Sequence, residues 1–443
     1  MNTSLTFRIK TKQKKARRGE LKIGNVKIQT PAFMPIGTLG SIKSLDNEEI
    51  EKLGYDLILG NTYHLWLKPG MQVFAQLQNQ SKLIKAKDTT DLESLKSHLG
   101  GLHKFNNYEK LLLTDSGGFQ AWSLSKSRKF TEEGVYFNLA SNGQTRLLTP
   151  EKSIQIQTVL GSNIALVLDQ VVNAEVDYQT AKKAMERTHR WAKRCQDEFL
   201  RLKNNSVKIL ASDLDLPILE KPKVNKNGQI DPAQLAKFER IKKKLTQNNV
   251  FVDTQNLSKD RFLFGIPQGA MYLDLRQTSA KAIMEMNFDG YSIGGVAQGG
   301  EAEEVMYQQV LSQTELLEDD KPRHLLGVGT PENIVEMVKR GIDLFDCVYP
   351  TRNARHGSIF IWRNKSKFEY ETIKIKSQKF VNDFSPINQN SKIKSLRNYS
   401  KAYLNHLFKA GELLAYRLAT LQNLEFYADL MEEIRNKIEA NEL

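Results

Sequence analysis

Eight short apolar runs punctuate the chain, at residues 32–37, 57–62, 111–116, 163–169, 261–266, 290–295, 323–329 and 344–350. Most of the segments between them carry the spacing of an amphipathic helix, so the runs read as buried parallel strands in an α/β fold. Two of the intervening helices have complete start and stop signals. Thr149-Pro150-Glu151 closes at Gly161, and Thr330-Pro331-Glu332 closes at Gly341, each giving a capping hydroxyl, a first-turn proline and a terminal glycine. The apolar runs end on polar or glycine positions: Asn61, Asp115, Asp169, Gln268, Gly294 with Gly295, and Asp346. Eight such repeats predict a (β/α)8 TIM barrel, whose chemistry gathers where the strands end. A doubly wound sheet also presents ligands at strand ends, and the pattern by itself leaves that alternative open.

Two stretches exceed a minimal barrel. Residues of about 76–98 are polar and mixed in charge, and those of about 203–255 contain a helical-looking run, AQLAKFERIKKKLTQ. Both read as solvated surface insertions. Leu421, Leu424, Tyr427, Met431, Ile434 and Ile438 recur at helical spacing and predict a last helix packed on the barrel. The expected organisation is a catalytic barrel over 1–385, a small subdomain over 386–425 and a C-terminal barrel helix over 426–443.

Charge adds a partner to this picture. The 443 residues carry a formal net charge of +13, and residues 363–401 hold ten Lys or Arg against three Asp or Glu. That excess favours a polyanion such as nucleic acid, although a lysine-rich proteome would produce the same balance. Only two cysteines occur, Cys195 and Cys347, which excludes a disulfide framework and a four-cysteine metal site. Both read as packed rather than reactive thiols. No stretch approaches the roughly 20 apolar residues of a membrane span, and the lysine-rich start lacks an apolar run behind it. A soluble cytoplasmic protein with no membrane partner is expected.

The candidate chemistry rests on aspartates. Asp115 in LLTDSGGFQ and Asp346 in DLFDCVYPTR each leave an apolar run for a loop. Cleavage of an N-glycosidic bond develops positive charge at the sugar carbon, which a carboxylate can stabilise or capture, while a second group manages the proton of the base. Two aspartates in separate environments meet both needs.

These segments resemble the tRNA-guanine transglycosylases, or queuine tRNA-ribosyltransferases, pentosyltransferases that exchange a guanine in tRNA for a 7-deazaguanine. The likeness extends through TPAFMPIGT, ILGNTYHL, GLHKF, RHLLGVGTPE and RNYSKAYLNHLFKAGE. It implies that Asp346 is the nucleophile on the ribose, that Asp115 is the general acid/base, and that Ser116 and Phe119 lie in the base pocket. It implies further that Asp169 accepts from the ring N–H and amine of the base, and that Gln268 and the Gly294, Gly295 and Val296 loop bind the same base. Arg352 and Arg355 would meet anticodon RNA. The implied substrate is a tRNA with a GUN anticodon, modified at the wobble position in queuosine synthesis, and the implied assembly is a homodimer. The implied reaction needs no nucleotide cofactor.

The chain departs from the family pattern in three places. Where family members carry three cysteines and a histidine for a structural zinc, it has Ser391, Ile393, Leu396 and Gln422, so a metal-free subdomain is expected. In the base pocket Val171 follows Asp169-Gln170, Gln298 lies in the glycine loop, and Glu301 is the displaced counterpart of that loop's glutamate. These changes leave open whether the incoming base is the aminomethyl precursor preQ1 or queuine. Phe119 stands where some relatives have tyrosine, which keeps a stacking ring and loses a hydroxyl. An alternative function is a non-catalytic partner subunit or tRNA-binding paralogue, which predicts a lost nucleophile or base pocket.

Overall fold

The computed structural model describes residues 5–80, 100–124, 128–139, 144–217, 250–296 and 302–443, with isolated positions between 231 and 243. Its centre is a ring of parallel strands. In chain order they are Ala32–Met34 with Ile36–Gly37, then Leu57–Gly60, Leu111–Thr114, Ile164–Leu166, Phe262–Gly265, Gly290–Ile293, Arg323–Leu325 and Leu344–Asp346. Each pairs with its sequence neighbours, and Ala32–Met34 pairs with the last strand, so that Asp346 stands opposite Met34. Ile36–Gly37 pairs with the second strand instead. The two pieces of the first strand therefore occupy the two ends of the strand order and close the barrel between them. Pro35, which separates them, has no N–H to give, yet its carbonyl accepts from Leu59 N–H at 3.0 Å. Sequential pairing and closure rule out the doubly wound sheet.

All eight expected strands are present, the first in two pieces. Their side chains are buried almost without exception, as parallel strands covered by helices require. The helix Pro150–Leu160 begins at Thr149, whose hydroxyl accepts from Lys152 N–H, and stops at Gly161 with φ +81°. Pro331–Lys339 begins likewise at Thr330. Leu413–Ala440 buries Leu421, Leu424, Tyr427, Met431, Ile434 and Ile438 against the N-terminal strands and the last barrel segment. Tyr55 Oη donates to Leu424 O at 2.7 Å, and Tyr427 Oη donates to Gly329 O. This helix runs unbroken through residues 425 and 426.

Four further sheets among the described residues surround the barrel: Leu5–Gln13, Ala16–Ile23 and Val26–Thr30; Arg128–Phe130, Val135–Asn138 and Thr145–Leu148; the pair Lys208–Leu210 with Phe251–Asp253; and the hairpin Ser358–Asn364 with Glu369–Lys374. Residues 81–99 and most of 218–249 lie outside the described residues; of the helical-looking run only isolated positions are described, and these are helical. The root of the second insertion is described and is built into the body. Lys208–Leu210 pairs with Phe251–Asp253, Leu214 O accepts from Trp66 Nε1 at 2.8 Å, and the Asp215 carboxylate accepts from Met71 N–H at 2.9 Å. No helix among the described residues is long and apolar enough to cross a membrane.

The floor of the barrel, opposite the strand ends that carry the aspartates, is fastened by a buried ion pair. Arg17 and Asp343 are both fully buried. Arg17 Nε donates to Asp343 Oδ1 at 3.0 Å, a second guanidinium nitrogen donates to Oδ2, and the same carboxylate takes Arg323 N–H at 2.7 Å. Remaining guanidinium hydrogens reach Asp319 O and Lys321 O. Arg17→Ala leaves Asp343 buried and unpaired, so denaturant unfolding should show a loss of about 3–5 kcal/mol. The double variant Arg17→Met with Asp343→Leu should recover much of that loss. A single variant as stable as the parent would contradict this account.

Candidate active site

At the opposite mouth three carboxylates stand together, each held by its own donors. Asp115 follows the third barrel strand and is tied to the second, its N–H donating to Gly60 O at 3.3 Å. Its carboxylate accepts from Asn61 Nδ2 at 2.8 Å, Thr62 N–H at 2.9 Å and Gln120 Nε2 at 2.9 Å. Asn61 is shared, because its Oδ1 also caps the helix Thr62–Leu67 by accepting from His64 N–H. Burial pushes the Asp115 carboxyl up to about 7 against these hydrogen bonds, and the negative charge of Asp346 pushes the same way. The structure therefore brings the two aspartates singled out in the sequence into one electrostatic field.

Asp346 ends the eighth strand and is 6% exposed. One oxygen, Oδ1, lies 2.8 Å from His324 Nε2 and 3.3 Å from the Gly327 N–H that donates to it. Asp169 follows the fourth strand. It accepts from Gln268 Nε2 at 2.6 Å and from Ser116 Oγ at 3.4 Å. Burial raises its carboxyl to about 6, with the Gln268 and Ser116 hydrogen bonds opposing. Asp169, Ser116 and Gln268 thus form one polar cluster, in which one of the two Gln268 amide hydrogens goes to Asp169.

The glycine pair abuts this cluster. Gly295 has φ +68°, and a Cβ there would lie 2.5 Å from Gln268 Oε1, so only glycine lets this backbone close on the pocket. Arg276, fully buried, holds the pair in place by donating to Gly294 O and Gly295 O, each at 2.6 Å, and to Ala270 O at 2.8 Å. Val296 is buried, as is Val171, while Gln298 and Glu301 lie outside the described residues. Phe119 is 49% exposed on the helix Gly118–Leu124 beside Trp122, their ring centroids 5.7 Å apart. Arg352 and Arg355 share the helix Tyr349–Arg355 directly after the Asp346 strand, with Arg352 exposed. Burial pushes both cysteine thiols up, that of Cys347 to about 12, which makes them poor nucleophiles.

Sequence reading missed His324 and Arg276. His324 lies inside the apolar run RHLLG, and Arg276 lies within a helix, so neither stands at a strand end. Asn61 was legible as a strand-end residue, but its partner was not.

The four positions where a zinc site would be sought do not fit one. Leu396 is buried and Ile393 half-buried, and neither has a donor atom. Gln422 Nε2 donates to Phe360 O at 2.8 Å. Ser391 Oγ donates to Glu425 Oε2 at 2.6 Å, and Lys392 N–H donates to Glu425 Oε1 at 2.6 Å. Glu425, 4% exposed and one helical turn beyond Gln422, thereby joins the connection to the last helix with ordinary hydrogen bonds.

Comparison with known proteins agrees with this geometry. The family model described as queuine tRNA-ribosyltransferase matches residues 12–212 and 234–443. The chain is 38% identical over 439 residues to the queuine tRNA-ribosyltransferase of Mannheimia succiniciproducens, covering 98% of this chain and 93% of that one. It is 38% identical over 424 residues to that of Chromobacterium violaceum (96% and 91%) and 39% identical over 435 residues to that of Vibrio cholerae serotype O1 (98% and 92%). A TIM barrel whose mouth gathers Asp115, Asp169 and Asp346, matched along nearly its whole length, belongs to the queuine tRNA-ribosyltransferase family.

Proposed function

We propose that this chain is a tRNA-guanine transglycosylase that replaces the wobble guanine of GUN-anticodon tRNAs with a 7-deazaguanine. The observation that carries the reading is the pairing of a strand-end carboxylate, Asp346, with a second, Asp115, whose proton affinity lies near neutrality. Asp346 attacks the ribose carbon, a C–O bond forms as the C–N bond breaks, and guanine leaves with a proton that Asp115 manages. The incoming base then gives its proton to the Asp115 carboxylate left by the first step and displaces Asp346, so two inversions retain configuration. Asp169 and Gln268 read the base's hydrogen-bonding edge with Ser116, Gly294, Gly295 and Val296, Phe119 stacks on it, and Arg352 and Arg355 meet the RNA. An unmatched buried polar edge costs about 1–3 kcal/mol per group, which disfavours adenine. One glycosidic bond replaces another, so no external energy source and no nucleotide cofactor is needed. A non-catalytic partner would lack a nucleophile or a base pocket, and this chain retains both residue sets. A homodimer working in the cytoplasm completes the proposal.

The C-terminal subdomain is proposed to work without metal. A structural zinc contributes around 10 kcal/mol to a small module. Here that role passes to full burial of Leu396, worth roughly 1.5–3 kcal/mol, to the Glu425 hydrogen bonds, worth roughly 1.5–3 kcal/mol each, and to packing on the long helix.

Labelled guanine should enter an unmodified GUN-anticodon tRNA, and Asp346→Asn should lower that exchange by roughly a thousandfold or more. Exchange by the variant at the parental rate would remove Asp346 from the mechanism. The pH dependence follows from two groups. Asp169 must be ionised to accept from the base, so kcat/KM for tRNA should rise as pH passes about 6. Asp115 must hold a proton for the leaving guanine, so kcat/KM should fall as pH passes about 7. A profile flat from roughly pH 5 to 8.5 would contradict both roles. For the subdomain, elemental analysis of purified protein should find far less than one zinc per chain, with the thermal midpoint unmoved by chelator. Stoichiometric zinc would overturn the metal-free proposal.

A further inference from the structure

We infer that His324 is a positioning residue for the nucleophile, orienting Asp346 through a hydrogen-bonded relay that begins at Ser292. The inference rests on the transglycosylase reading and names a residue which that reading does not use. His324 is fully buried in the seventh barrel strand. Ser292 is its register partner on the sixth strand, and Leu344 is its partner on the eighth. Asp346 lies two residues beyond Leu344, so the pleat puts all three polar side chains on one face of the sheet.

The contacts follow that geometry. His324 Nδ1 lies 3.0 Å from Ser292 Oγ, and Nε2 lies 2.8 Å from Asp346 Oδ1. A carboxylate has no hydrogen to give, so Nε2 carries the proton of that bond. In the singly protonated ring Nδ1 is then an acceptor, and Ser292 Oγ–H is the donor it faces. The Gly327 N–H adds a second donor to the same Oδ1. Oδ2 takes no hydrogen bond from any described residue, which leaves it free for attack. The relay fixes the carboxylate plane and decides which oxygen is the nucleophile. Such a partner acts on the chemical step rather than on capture of the base, because both of its ring nitrogens are taken up by protein groups, Ser292 and Asp346.

The test compares His324→Leu, which removes the donor, with His324→Gln, whose Nε2 can still reach Asp346. Guanine exchange into tRNA is followed with each variant, beside the wild type and Asp346→Asn. The leucine variant should lose about 10- to 100-fold in kcat with KM for guanine within about twofold, by analogy with partners that orient metal ligands. The glutamine variant should recover most of the loss. Equal thermal midpoints would separate this from misfolding. Independently of activity, nitrogen-15 histidine spectra of the wild type should show one ring hydrogen-bonded through a protonated Nε2, and Asp346→Asn should shift it. Full kcat in His324→Leu, equal impairment of the leucine and glutamine variants, or absence of that signature in an exchanging wild type would overturn the positioning role alone. A wild type that shows the signature and exchanges no guanine would instead contradict the transglycosylase reading and this role with it.

Discussion

Three carboxylates at the mouth of one barrel, all largely withdrawn from water, set the constraint on which the rest of the site depends. Negative charges so placed repel and lose hydration, and each persists only with donors of its own. Asp115 takes them from Asn61, Thr62 and Gln120, Asp169 from Gln268 and Ser116, and Asp346 from His324 and Gly327. Three donor sets give three chemical characters from one residue type. Burial pushes the Asp115 carboxyl up to about 7, which suits it to exchange a proton near neutrality.

The scaffold divides these demands between its two ends. The floor is fastened by a buried ion pair, in which Arg17 from the N-terminal sheet meets Asp343 at the start of the eighth strand. The candidate chemistry gathers at the other end of the barrel, beyond the third and fourth strands and at the end of the eighth. The long C-terminal helix connects the two regimes, since it packs on the N-terminal strands and carries Glu425 into the small subdomain. There the buried Glu425 carboxylate accepts two short hydrogen bonds, from Ser391 Oγ and Lys392 N–H, which join the connecting segment to the helix.

Much of this was legible in the sequence. Parallel strands buried on both faces must be apolar at consecutive positions, so all eight barrel strands stood out, and the caps at Thr149 and Thr330 fixed two helix starts. Strand-end aspartates announced the site because a charged residue closing an apolar run has few structural reasons to be there. The N-terminal sheet was not legible, because Leu5–Gln13 alternates partly buried and exposed positions in a lysine-rich context that resembles a solvated tail. The hairpin Ser358–Asn364 with Glu369–Lys374 overlaps the basic stretch for a similar reason. His324 was hidden by tertiary register: its meaning depends on Ser292 and Asp346, which lie 32 and 22 residues away and meet it only across the sheet.

The central claim is that Asp346 forms a bond to the ribose. Its most direct test is to incubate the wild type with a GUN-anticodon tRNA, denature the mixture, and map any protein–RNA adduct by mass spectrometry after digestion. The account predicts an adduct on the peptide containing Asp346, discharged when excess guanine or a 7-deazaguanine is added before denaturation. An adduct on another residue, or exchange proceeding with no adduct under any condition, would contradict it.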